Sequence, residues 1–149
     1  MKSYYLFLLL LLFSACEKEI EVEEFKLNLT EIAFSDIEID CSPNLEGITI
    51  DSDAAYQAFQ NENEMDCQSN FPAIDFTTNT VLGIKKDIGG CSLKNKYWNV
   101  YEDKSAKKYI FQAIAESEGN CYMLLSVPFW VSIPKLPSDY TVEFVEYEY

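Results

Sequence analysis

The chain lacks histidine and arginine altogether, and its 11 basic residues are all lysine against 25 aspartates and glutamates, for a formal net charge of −14 over 149 residues. Those absences remove whole classes of chemistry. Without histidine there is no Ser/His or Cys/His nucleophile pair, no HExxH zinc site and no imidazole acid or base. Without arginine there is no planar guanidinium fork for phosphate or carboxylate. Glycine is scarce, and Gly89-Gly90, the only adjacent pair, is not followed by the Lys-Ser or Lys-Thr of a phosphate loop. The acidic excess repels phosphate backbones, which excludes nucleic acid as a partner. It does not build a calcium loop either, because no DxDxDG spacing occurs and Asp36, Asp40, Asp51 and Asp53 are too sparse for a cage. No two carboxylates are singled out as a hydrolytic pair. The chain therefore reads as a non-enzyme without a metal or other cofactor.

What is present begins at the N-terminus. Lys2 precedes an apolar run from Leu6 to Phe13, far short of the roughly 20 residues that span a bilayer. That is the anatomy of a signal peptide. Cleavage after Ala15 by the general signal peptidase would place bulky Phe13 where a small residue is required. Phe13-Ser14-Ala15-Cys16 instead resembles a bacterial lipobox, so residues 1–15 read as a lipoprotein signal peptide and Cys16 as the acylated first residue of the mature chain. Each buried CH₂ of an acyl chain contributes about 0.8 kcal/mol, enough with three chains to hold a protein in a membrane leaflet. Residues 16–24 are dense in charge and poor in apolar area, and read as a solvated acidic tether. The expected location is the cell envelope, as an outer-membrane lipoprotein facing the periplasm or the surface. Cleavage removes Lys2 and no acid, which takes the formal charge from −14 to −15 and leaves 134 of the 149 residues. Residues 25–149 suit a single domain.

Four further cysteines stand at 41, 67, 91 and 121. An even number in an exported chain points to disulfides. They lack the CxxC knuckles of a zinc site. Three pairings are open; Cys41 with Cys67 and Cys91 with Cys121 is the expected one, each joining near neighbours in the sheet.

Period-two alternation and abundant aromatic and β-branched residues predict a strand-dominated α+β fold, an antiparallel meander sheet or sandwich with one short helix. Early strands are expected through Phe25, Leu27 and Leu29, and through Ile37 and Ile39 toward Cys41. After Ile48-Thr49-Ile50, Asp51 or Ser52 caps a helix whose Ala55, Tyr56 and Phe59 share one face. Further strands are predicted over 80–86, 97–102, 109–116, 121–133 with a break near Pro128, and 140–148. Residues 103–108 and 117–120 are expected to be hairpin turns.

Residues 48–146 also carry an ordered set of landmarks. Ile48 to Ile50 lead to the helix with Tyr56 and Phe59. Ile74-Asp75-Phe76 and Thr80-Val81-Leu82-Gly83-Ile84 follow, then Gly89-Gly90, Val131-Ser132-Ile133-Pro134-Lys135 and a closing Val142-Glu143-Phe144. In this order they resemble the bacterial lipoprotein family that shares the C-terminal domain of PrcB, an accessory subunit of a surface protease complex. The resemblance implies a non-catalytic protein-binding accessory module that assembles or restrains an extracytoplasmic protease. Its expected contact edge is Gly89, Gly90, Phe129 and Trp130, because glycines admit a partner's backbone and tryptophans anchor interfaces. The alternative is glycan or nutrient capture, for which some of the 22 aromatic residues would be stacking platforms. Most aromatics in so strand-rich a chain are core.

Overall fold

The computed structural model describes residues 29–39, 46–63 and 71–146. They form strands β1 (Leu29–Glu31), β2 (Ser35–Asp36) and β3 (Ile48–Ile50), then helix α1 (Asp53–Glu62). The long strands β4 (Asn79–Gly89), β5 (Ser92–Asp103), β6 (Lys108–Glu118) and β7 (Leu124–Pro134) follow, and β8 (Thr141–Glu146) closes the series. Two four-stranded sheets result, in the orders β1-β5-β6-β8 and β2-β7-β4-β3. Of the two α+β forms that alternation allows, the chain takes the sandwich. Only β5 and β6 are joined as a hairpin, through residues 104–107. Every pairing is antiparallel except β6 with β8, which is parallel.

The predicted hairpin at residues 117–120 is not one. β6 pairs with β5 and β8, β7 with β4 and β2, so the chain leaves one sheet there and enters the other. Nor does Pro128 break its strand. The Ile37 amide donates to the Trp130 carbonyl from the β2 side, and Pro128, two residues away, presents its nitrogen to that same free edge. No ladder donor is lost there. Its carbonyl accepts from Lys96 Nζ at 3.0 Å. The predicted early strands shrink to β1 and β2; Ile37 adds one further backbone bond to β7, and both Ile37 and Ile39 pack into the core. Residues 25–28, 40 and 41 lie outside the described residues.

β4 is covered on both faces. Leu82 and Ile84 meet Val100, Phe111, Phe129, Val131 and Ile133 between the sheets. Val81 meets Ile50, Tyr56, Phe59, Phe76 and Trp130 beneath the helix. That gives three layers, with the β2-β7-β4-β3 sheet in the middle. The helix begins as its sequence dictates: Ser52 is the N-cap, its hydroxyl accepting from Ala55 N at 3.3 Å, with Asp53 in the first turn. Asn63 Nδ2 donates to the Phe59 carbonyl at 2.8 Å and covers the other end. Tyr56 and Phe59 are buried as expected, whereas Ala55 is exposed.

Candidate functional site

Two chain crossings meet at one end of the sandwich. β4 ends at Gly89, and the chain passes through Gly90 and Cys91 into β5; β6 ends at Glu118, and the chain passes through residues 119–123 into β7. The Cys91–Cys121 disulfide ties the two crossings, as the near-neighbour pairing predicts. Backbone bonds run beside it, from Gly90 N to Met123 O at 3.1 Å and from Cys91 N to Glu118 O at 2.8 Å. Ser117 Oγ donates to the Gly89 carbonyl at 2.5 Å, and Ser92 Oγ to Glu118 Oε1 at 3.1 Å.

Glycine is required at two of these positions. Gly119 has φ +79°, the left-handed region that other residues rarely adopt, and a Cβ there would fall 2.5 Å from Cys91 Sγ. A Cβ on Gly90 would fall 2.5 Å from Ser117 Cβ. The corner is thus closed by steric fit as well as by covalent bonding.

What the corner presents is apolar. Tyr122 is fully exposed, at 110% of its reference area, followed by Met123 at 55% and Leu124 at 70%, and Leu93 of β5 is exposed too. Adjacent apolar side chains in solvent need a reason, since isolated ones are normal and clusters mark contact surfaces. Below the corner Asp87 accepts from Ser126 Oγ at 2.5 Å and lies 3.4 Å from Lys85 Nζ. The Ser126 hydroxyl, aided by the Lys85 charge, holds its carboxyl below the ordinary value of 3.8. It stays an acceptor.

Of the contact residues expected from the sequence, Gly89 is at the corner and exposed, where a Cβ would meet nothing within 4 Å, while Gly90 is buried beside it. Phe129 and Trp130 are a correction. They are 1% and 4% exposed and point to opposite faces of β7, Phe129 into the core between the sheets and Trp130 into the core beneath the helix. Two consecutive strand residues are both buried because the sheet is covered on both sides. Cys16, Cys41 and Cys67 lie outside the described residues. Tyr122, Met123 and Leu124 are absent from the expected contact edge, because alternation runs them into a strand that starts at Cys121. Their signal is an unalternating apolar triplet directly after a cysteine.

Among the described residues no three His, Cys, Asp or Glu side chains group as metal ligands. Compared with family models, with curated proteins and with solved structures, the chain matches none.

Proposed function

We propose that this protein is a lipid-anchored, non-catalytic protein-binding module of a bacterial envelope, and that it holds its partner through the cystine corner. One observation carries the reading: Tyr122 and Met123 stand exposed on a loop clamped at Cys91–Cys121, with exposed Leu124 where that loop enters β7. Aromatic residues and methionine are enriched at interfaces, and a loop already held in one conformation loses less entropy on binding. The absence of histidine and arginine is in keeping with binding rather than turnover. Acyl chains on Cys16 supply the anchor, and the acidic tether sets the domain off from the membrane. The resemblance to the PrcB accessory domain favours an extracytoplasmic protease as the partner.

The test uses the mature chain on a support, incubated with detergent extract of the native envelope. Tyr122→Ser with Leu124→Asp should reduce capture of the partner at least about tenfold, which is about 1.4 kcal/mol, while leaving the unfolding midpoint in place. Lys104→Asp, in the hairpin at the far end of β5, should leave capture intact. Equal loss in both variants, or loss in neither, overturns the assignment of the corner.

A further inference from the structure

Exposed apolar side chains extend beyond the corner. Among the described residues the large hydrophobic side chains left in solvent are Tyr122, Met123 and Leu124 at the corner and Leu93 and Tyr97 on β5. β5 leaves the corner directly, at Ser92. Residues 92–99 also hold Lys94 and Lys96 and no acid, an exception in a chain with 25 aspartates and glutamates.

The edge of β5 is open along the same stretch. β1 pairs with Tyr101, Glu102 and Asp103, and the Ile32 amide donates to the Val100 carbonyl at 2.8 Å. Backbone groups alternate sides along a strand with a period of two, so the N–H and C=O of Trp98 and Lys96 face the way that carbonyl does. Among the described residues no backbone group takes them up. Such a row is a template for pairing with another chain. Room for one exists, because a cleft of about 360 Å³ separates Lys96 and Trp98 from the 36–39 segment. Lysines and bulges also serve to keep edges from pairing. Here the bulge falls between Leu93 and Asn95, residues 96–99 keep a regular register with β6, and Tyr97 is apolar surface beside the open groups.

Side chains along the edge define what adds to it. Lys96 is exposed and stands in no ion pair among the described residues. Its Nζ donates to the Pro128 carbonyl at 3.0 Å. Flanking acids are engaged: Glu116 accepts from Asn95 at 2.8 Å and lies 3.7 Å from Lys94, and Asp36 accepts from Trp98 Nε1 at 2.8 Å. Glu38 lines the far wall of the cleft, which disfavours more than one incoming acid. Lys96 and Trp98 point between the sheets, where Lys96 Nζ sits 5.1 Å from the Phe129 ring centroid, and Tyr97 points outward. A strand paired here would set its alternate side chains on those two faces. The complementary segment is therefore extended, with one acid opposite Lys96 and apolar residues beside Tyr97. Backbone bonds give such an added strand its affinity, and alternate side chains give it specificity.

We propose that an extended segment of the protein partner adds as a strand to the open edge of β5, with an acidic side chain opposite Lys96 and apolar ones on the Tyr97 face. The inference rests on the protein-binding reading above and names how the partner is held. The probe is a short blocked peptide with valine at alternate positions, threonine between them and glutamate at the centre, titrated into the ¹⁵N-labelled mature chain. The Lys96 and Trp98 backbone amide signals should move saturably, with a Kd on the order of 1 mM, about −4 kcal/mol. At saturation both amides should exchange with solvent more slowly, which side-chain docking alone would not produce. The same peptide with lysine at its centre should bind about tenfold more weakly or worse, and Lys96→Glu should reverse that preference. Lys96→Pro deletes an edge donor that faces away from β6, and should weaken both the peptide and capture of the envelope partner at least about tenfold. Amides unmoved by either peptide, a preference not reversed in Lys96→Glu, or peptide affinity unchanged in Lys96→Pro overturns the proposal. Tyr122→Ser with Leu124→Asp should lose capture and keep the peptide. Capture lost there and retained in Lys96→Pro leaves the corner standing and overturns strand addition; capture retained there and lost in Lys96→Pro does the reverse.

Discussion

Replacing Gly83 with alanine should destabilise the fold by an amount that Trp130 determines. The two residues face each other across β4 and β7. A Cβ at position 83 would overlap Cε3 and Cζ3 of the indole and come within 2.7 Å of Cη2. The ring has little room to retreat, because Phe59 meets it edge-on with centroids 5.3 Å apart and Val81 and Phe76 complete the same cluster. Forcing one methyl group into a packed core costs about 1–3 kcal/mol. Against this, alanine restricts the unfolded chain and favours folding by about 0.4–1 kcal/mol where the backbone tolerates it, as it does here because Gly83 lacks a positive φ. The net loss expected is about 1–2 kcal/mol. Trp130→Phe should be destabilising by itself, since a smaller ring leaves a void over Gly83. In the double variant the methyl occupies that void, so the two losses should fall short of adding by about 1 kcal/mol. Urea unfolding of the four proteins followed by far-ultraviolet circular dichroism measures the cycle without using the tryptophan that is changed. Losses that add to within about 0.5 kcal/mol would mean that the residues are uncoupled, and the packing argument for glycine at 83 would fail.

Reducing or replacing the Cys91–Cys121 bond opens a loop with a sequence separation of 30 and should cost about 3–4 kcal/mol on the chain-entropy estimate; denaturation with and without reductant reports it. Ser52→Ala should cost about 1 kcal/mol by removing the helix cap, visible as a lower urea midpoint with an unchanged slope. In acid, Asp75 and Asp103 set the sign. Thr77 donates to Asp75 from its hydroxyl at 2.6 Å and its amide at 3.0 Å, and Ser105 and Ala106 do likewise for Asp103 at 2.6 and 2.9 Å. Both carboxyls are thereby held below the ordinary 3.8. The unfolded chain then takes up protons first, so the stability these bonds contribute is present above that value and lost as pH falls through the lower folded ones. Urea midpoints measured down the acid range should fall, and fall less in Asp75→Asn and Asp103→Asn. Cys16→Ala should leave the protein unprocessed or water-soluble in detergent phase partition, whereas partition like the wild type would refute lipidation.

Local structure was largely legible. Ser52 and Asp53 announce the helix start because a hydroxyl acceptor and an acidic first turn satisfy exposed amides in any context. Alternation located the five later strands to within a few residues, and Cys91 and Cys121 pair as expected because each follows the end of a strand at the same end of the fold. What alternation could not reveal is which sheet a strand joins. A turn such as Glu118-Gly119-Asn120 folds a hairpin or carries the chain between sheets with equal ease, and only the long-range pairing of β6 with β5 and β8 and of β7 with β4 and β2 distinguishes them.

Site residues divide along the same line. Gly89, Gly90, Cys91 and Cys121 are marked in the sequence by residue types that tolerate few other roles. Phe129 and Trp130 are not: a strand with one wet face would expose one of the two, and it is helix α1, packed by Tyr56 and Phe59 against the second face, that buries Trp130. The exposure of Tyr122, Met123 and Leu124 is equally a tertiary outcome. Their composition would suit a core strand, and they face solvent because Tyr122 and Met123 lie in the crossing pinned by a disulfide and two backbone bonds and Leu124 stands at the very start of β7, opposite Gly89. Composition and short-range spacing act through neighbouring residues and determined the elements of this protein and its candidate cystine; layer order and exposure depend on residues far apart in the chain, and only the tertiary structure decided them.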